Sequence, residues 1–178
     1  MDYKKIQKLI AEESLSRRVA ELGEQITQDY EQRKLNVICV LHGALVFAAD
    51  LIRAITCPLA FDIIRVSSYE GSQSTGAVRR MLGPSENVAG TDCLVVDDIL
   101  DTGLTLSTIR YELQQSGAAS VNTCVLLDKP SRRVHPVDPG YTGFTIDDVF
   151  VIGYGLDYEG RFRNLPYIGT LNQQDQGS

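Results

Sequence analysis

The chain has 178 residues, 43% of them hydrophobic and 22% charged, with a formal net charge of −6, which suits one domain with an adequate core. The acidic balance, with a pI near 4.9, argues against nucleic acid as the main partner. No apolar run approaches the ~20 residues of a membrane span. The opening Met1-Asp2-Tyr3-Lys4-Lys5 lacks the apolar core of a signal peptide, so a cytoplasmic protein is expected. Cys39, Cys57, Cys93 and Cys124 have no paired short spacing and read as reduced packing residues, not as a zinc site or disulfide framework.

Residues 2–35 read as helix, with Val19, Leu22, Ile26 and Tyr30 at helical spacing and Ser16 as a candidate N-cap. Asn36 to Leu41 is a buried strand that runs into the tight turn His42-Gly43-Ala44. An apolar helix follows from about Leu45 to Ile55, stopped by Cys57-Pro58. Leu59 to Tyr69 reads as a long strand. The polar, Gly-flanked loop Glu70 to Gly76 follows, then a returning strand over Val78 to Leu82.

Cys93 to Leu106 is the most informative stretch. A short apolar run reads as a buried strand. It ends in Asp97-Asp98 and Asp101, and a Thr102-Gly103-Leu104-Thr105 turn opens into a helix that Gly117 closes. Backbone N–H groups at such a turn bind phosphate, and carboxylates just before them hold hydroxyls or a metal. Ser120 to Leu127 is another apolar strand, ending at Asp128-Lys129-Pro130, with Arg132 and Arg133 next and a Pro/Gly-rich connection through Gly140. Phe150 to Tyr154 is a last short strand, Gly155 to Pro166 is irregular, and 172–178 is a polar tail expected to be disordered.

Apolar strands alternating with helices imply an α/β fold, a parallel-sheet core flanked by helices. Three strands end in candidate site residues, and ligands gather at the carboxyl ends of parallel strands. One site built from His42-Gly43, Asp97 to Thr105 and Lys129 is therefore expected. The hairpin-like 59–82 and the non-helical end break the alternation and are expected to form a small hood.

Val95-Val96-Asp97-Asp98-Ile99-Leu100-Asp101-Thr102-Gly103-Leu104-Thr105 resembles the signature of phosphoribosyltransferases that use 5-phosphoribosyl 1-diphosphate (PRPP). Leu41-His42-Gly43-Ala44, Ser67-Ser68-Tyr69, Leu127-Asp128-Lys129-Pro130, and Phe150 to Tyr158 with Phe162-Arg163-Asn164-Leu165 follow the hypoxanthine(-guanine) branch of that family in order. The resemblance covers about residues 36–171. It implies the type I phosphoribosyltransferase fold as a single domain over 1–171, with a hood from the chain ends and a mobile lid at about 68–78. It implies transfer of the phosphoribosyl group of PRPP to N9 of hypoxanthine, and of guanine, giving IMP or GMP and diphosphate, with Mg²⁺ as cofactor. Homo-dimers or homo-tetramers are usual among such proteins.

The resemblance also implies residue roles. Asp97 and Asp98 hold the ribose hydroxyls and help place Mg²⁺, although the family commonly has Glu at the first position. Asp101 is the proton acceptor near purine N7, and Asp101 with Thr102, Gly103, Leu104 and Thr105 cradles the 5′-phosphate. Lys129 donates to the 6-oxo group, Phe150 stacks on the purine, Val151 meets the base through its backbone, and Asp157 lies near Mg²⁺ and the base. His42, Gly43, Ser68, Tyr69 and Arg163 hold diphosphate, the first two through a turn with an often cis non-proline peptide. Relatives often carry Lys or Arg at position 42. Histidine supplies less charge there at pH 7, so pH-dependent diphosphate affinity is expected.

Two rivals come from other classes. A phosphoacceptor receiver domain shares strand-Asp-Asp and Lys-Pro, but its acidic pair follows the first strand, whereas Asp97-Asp98 comes late. A PRPP-sensing regulator on the same fold would need a nucleic-acid-binding segment, which the acidic composition disfavours. Among enzymes, the alternative is a xanthine-preferring or 6-aminopurine transferase; Lys129 with Phe150 and Asp157 favours 6-oxopurines.

Overall fold

The structure, a computed structural model, describes residues 6–68, 78–82 and 88–171. In chain order the elements are β1 (Gln7–Ile10), α1 (Glu12–Asp29), β2 (Leu35–Leu41), α2 (Leu45–Ala54), β3 (Leu59–Ser68), β4 (Val78–Leu82) and β5 (Asp92–Leu100). They continue with α3 (Leu104–Gln115), β6 (Ser120–Asp128), a 3-10 turn (Pro130–Arg132), β7 (Tyr141–Thr145), β8 (Val151–Ile152) and β9 (Ile168–Thr170).

The two-residue period of the strands decides the layering. In β2, Val37 and Cys39 enter one core while Ile38 and Val40 enter another. β5 divides the same way, with Leu94 and Val96 on the first side and Cys93 and Val95 on the second. Strands apolar on both faces must be covered on both. The amphipathic α1 and α2 cover the first face through residues such as Leu22, Ile26, Phe47 and Leu51. α3 covers the second through Leu106, Ile109 and Leu113. The sheet runs β4-β3-β2-β5-β6-β7. β3, β2, β5, β6 and β7 are parallel, and β4 is antiparallel at one edge. The carboxyl ends of β2, β5 and β6 therefore sit side by side.

A second, three-stranded antiparallel sheet, β1-β9-β8, comes from the two ends of the chain. It packs with the 152–171 segment around Ile152, Phe162, Leu165 and Leu171. This is the hood, and it departs from the sequence expectation in two ways. The 59–82 hairpin is not part of it: β3 pairs in parallel with β2 and belongs to the main sheet. Residues 2–35 are not one helix either, because Gln7–Ile10 pairs with β9, a tertiary partner that helical spacing cannot reveal. α1 begins at Glu12 with Ala11 as its N-cap, and Ser16 is an exposed residue inside the helix. Glu12 and Glu13 in the first turn complement the helix dipole instead.

The last strand is shorter than expected. β8 stops at Ile152, because Gly153, Tyr154 and Gly155 all take positive φ and turn the chain out of the sheet. β7 and β9 carry no long apolar run and were not anticipated. Elsewhere the expectations hold closely: α3 spans Leu104–Gln115 and ends at Gly117, whose φ is +86°. The proposed lid between Ser68 and Val78, with Tyr69, and the tail 172–178 lie outside the described residues.

Candidate active site

The candidate phosphate loop is the turn between β5 and α3. Gly103 has φ +87°, a conformation costly for residues with a Cβ, and a Cβ there would lie 2.6 Å from the His135 carbonyl oxygen. Both features require glycine. The first N–H groups of α3 have no acceptor inside the helix and are open to an anion. Leu104 N–H reaches only Thr102 Oγ1, at 3.4 Å. Asp97, Ile99, Asp101, Thr102, Gly103 and Thr105 help to line a small recess of about 60 Å³ there.

The outer wall of this loop is the segment after β6. His135 N–H and Val134 N–H donate to Thr102 O, at 2.8 and 3.0 Å, and Lys129 N–H donates to Leu100 O at 3.0 Å. Arg133 donates to Asp101 O (3.1 Å), Leu100 O (3.4 Å) and Val137 O (2.6 Å), and pairs with Asp128. A guanidinium spreads its donors in a fixed plane, so one side chain ties three backbone carbonyls and a carboxylate together. Sequence reasoning noted Arg133 only as a basic residue. Its place four residues beyond the strand-ending Lys129 was the available signal.

Asp97 is buried and Asp98 half-buried, and their carboxylates are held at the strand end by local hydrogen bonds. Asp98 N–H donates to Asp97 Oδ1 (3.0 Å) and Ile99 N–H to Asp98 Oδ1 (2.8 Å). Burial pushes the Asp97 carboxyl well above the usual range, and the charge of Asp98 adds to this. Burial also raises Asp98, against the opposing hydrogen bonds and the positive charge of Arg163. Two carboxylates this close and this dry attract a cation or a proton. That is the donor chemistry a hard divalent cation takes.

The β2 turn packs directly on the pair. The Leu41–His42 peptide is cis. Gly43 lies so close to the Asp98 carboxylate that a Cβ would overlap Oδ2, and a Cβ on Gly155 would overlap the Gly43 carbonyl oxygen. The turn is thus held between Asp98 and the 153–165 segment. Tyr154 N–H donates to Leu165 O (2.8 Å), Gly155 N–H to Arg163 O (2.9 Å), and Tyr154 Oη donates to Asp50 Oδ2 of α2 (2.5 Å). Tyr154 and Asp50 were not foreseen as site supports. His42 is exposed, and its carbonyl accepts Leu45 N–H at 3.2 Å.

Arg163 donates from Nη1 to Gly155 O (2.7 Å) and pairs through Nη2 with Asp157 Oδ1 (2.7 Å). Asp157 Oδ2 accepts Gly160 N–H at 2.8 Å. Both oxygens of Asp157 are therefore engaged. Among the described residues no group of three metal-ligating side chains converges in the protein alone. Asp157 is a partner of Arg163.

The side of the candidate site expected to meet the base is an ion-pair chain. Lys129, buried at the end of β6, donates to Val149 O at 2.7 Å and lies 3.8 Å from Asp148 Oδ1. Arg132 sits 3.5 Å from Asp148 Oδ2, and its Nε donates to Asp101 Oδ1 at 3.1 Å. Phe150 is 44% exposed and meets the Tyr158 ring edge-on, at 5.6 Å. A core phenylalanine would be buried, so this ring is available to a planar ligand. Val151 is buried in β8. Ser68 ends β3, next to the undescribed segment.

The molecule matches known proteins over nearly its whole length. Residues 7–159 match the phosphoribosyl transferase domain family. A hypoxanthine-guanine phosphoribosyltransferase of Lactococcus lactis is 44% identical over 167 residues, covering 93% of this chain and 91% of the relative. A hypoxanthine phosphoribosyltransferase structure from Staphylococcus aureus superposes with TM-score 0.92 at 40% identity, covering 97% of this chain and 95% of that one. One from Trypanosoma cruzi gives TM-score 0.91 at 35% identity, covering 98% and 95%. The five-stranded parallel sheet with its flanking helices and the small sheet from the chain ends are thus those of a known family, and the chain belongs to the hypoxanthine-guanine phosphoribosyltransferases.

Proposed function

We propose that this protein transfers the phosphoribosyl group of PRPP to N9 of hypoxanthine, and of guanine, releasing diphosphate and IMP or GMP. The observation that carries this reading is the junction of Gly43, Asp98 and Gly155. It joins an anion-binding turn, an acidic pair and the Arg163 segment beside the phosphate loop, as a diphosphate leaving C1′ of a bound ribose phosphate requires.

The C1′–oxygen bond to diphosphate breaks and the C1′–N9 bond forms through an oxocarbenium-like transition state, so no side-chain nucleophile is needed. Thr102 to Thr105 hold the 5′-phosphate through backbone N–H groups and hydroxyls. Asp98, with Asp97 behind it, holds the ribose hydroxyls and places negative charge near the developing cation. Arg163 and the His42-Gly43 turn hold the departing diphosphate. Asp101 takes the purine N7 proton and passes it to water. Lys129 turns from Val149 O to the 6-oxo group, and Phe150 stacks on the ring. Asp97 and Asp98 fit Mg²⁺, which when bound neutralises diphosphate charge.

Incubation of the protein with Mg²⁺, PRPP and hypoxanthine, followed by mass analysis, tests this. IMP and diphosphate in equal amounts are expected. Diphosphate release without IMP, or no turnover, refutes the reading.

A further inference from the structure

Two of the groups assigned to the purine, Lys129 and Asp101, are already engaged by protein, and one side chain connects them. Lys129 donates to Val149 O at 2.7 Å and faces Asp148 at 3.8 Å. Arg132 spans Asp148, at 3.5 Å, and Asp101, at 3.1 Å. The order is Lys129–Asp148–Arg132–Asp101, two cations and two anions in alternation. Lys129 and Arg132 are held in register by one tight turn, in which Arg132 N–H donates to Lys129 O at 3.1 Å. Arg132, Asp148 and Asp101 are each about half exposed, so the chain can rearrange without disturbing the core.

We propose that Arg132 is a partner-exchange residue that gates the purine pocket. This rests on the assignment of Asp101 and Lys129 to the base. With no base bound, Arg132 occupies the carboxylate that must receive the N7 proton. When a 6-oxopurine enters, Lys129 turns to the oxo group and leaves Asp148 with one cation fewer. Arg132 then moves wholly onto Asp148 and frees Asp101. Arg132 and Asp148 stay paired throughout, while Lys129 and Asp101 exchange their protein partners for the purine, so the two base contacts are released together. An adenine, which offers Lys129 no oxo acceptor, gives Asp148 no reason to recruit Arg132, so the gate adds to base selection.

The test is a mutant cycle on the KM for hypoxanthine at saturating PRPP, with melting temperatures recorded as a folding control. Arg132→Gln removes the competitor for Asp101 and should lower that KM by about two- to fivefold, the scale of an exposed ion pair. The KM for PRPP should not change. Asp148→Asn leaves Arg132 with Asp101 alone and should raise the hypoxanthine KM. In the double variant the Asp148 effect should vanish, because the residue it acts through is gone. An unchanged or raised KM in Arg132→Gln overturns the proposal, and so does an Asp148→Asn effect of equal size with and without Arg132. Failure of the underlying assignment reads differently: Asp101→Asn would then keep full turnover whatever Arg132 does.

Discussion

The two ends of the site are built differently. The proposed ribose-phosphate end is one contiguous stretch, Asp97 to Thr105, whose geometry follows from a strand end, a positive-φ glycine and a helix start. The proposed base and diphosphate end is assembled from three separate segments: 41–43, 129–133 and 148–163. Contiguous chemistry needs only local structure to form. Assembled chemistry needs the strand order β2-β5-β6, which brings the segments to one edge, and it needs contacts that lock them: Gly43 on Asp98, Gly155 on Gly43, Arg133 on the phosphate-loop carbonyls. Away from the Gly43–Asp98 contact the first end should tolerate changes at the second, but proton transfer requires both.

The largest expected effect tests that last point. Asp101→Asn should lower turnover by about 10²–10⁴-fold, the usual contribution of general acid–base catalysis, while PRPP binding measured by calorimetry is largely kept. Full turnover in this variant would remove Asp101 from the chemistry.

Gly43→Ala strikes the contact between the two ends. The new methyl group must displace the Asp98 carboxylate. The KM for PRPP should rise roughly tenfold or more, in line with loss of a charge-assisted contact. A binding isotherm like that of wild type would show that the turn is not a diphosphate site.

The smallest effect is on stability. The folded-state pKa of Asp97 is raised, above all by burial and then by the charge of Asp98. A raised carboxyl pKa stabilises the fold fully below the unfolded-state pKa, and this stability is lost as pH rises through the folded value. Near neutral pH the ionised pair therefore works against the fold. Asp97→Asn should melt higher than wild type at pH 7 without Mg²⁺ or PRPP, and the gap should shrink toward pH 4. A variant that melts lower at pH 7 would mean that the pair is not under strain from its own charge.

The same contrast explains what was legible in the sequence. The Asp97 to Thr105 stretch, the bounds of α3 and the strand ends at Leu41 and Asp128 could be read because each is written in local pattern. The hood strand Gln7–Ile10 could not, since a short segment with Leu9 and Ile10 suits a helix as well as a strand until β9 is placed beside it. The pairing of Asp157 with Arg163 six residues on was not legible either, since the motif names both residues without saying that they touch. Arg132, Arg133 and Tyr154 were passed over because their roles lie in contacts across 30 or more residues, with Asp101, Leu100 and Asp50. An Arg-Arg pair one residue after a strand-ending Lys-Pro is a usable signal for the first two.

The most direct test of the whole account is a parallel assay of hypoxanthine, guanine, xanthine and adenine with PRPP and Mg²⁺, in wild type and in Lys129→Gln. Wild type should use hypoxanthine and guanine and leave adenine nearly untouched. Lys129→Gln should lose roughly ten- to a hundredfold in kcat/KM for the oxopurines, the scale of a hydrogen bond from a charged donor, with the KM for PRPP unchanged. Adenine used as well as hypoxanthine by wild type, or equal losses for PRPP and base in the variant, would contradict it.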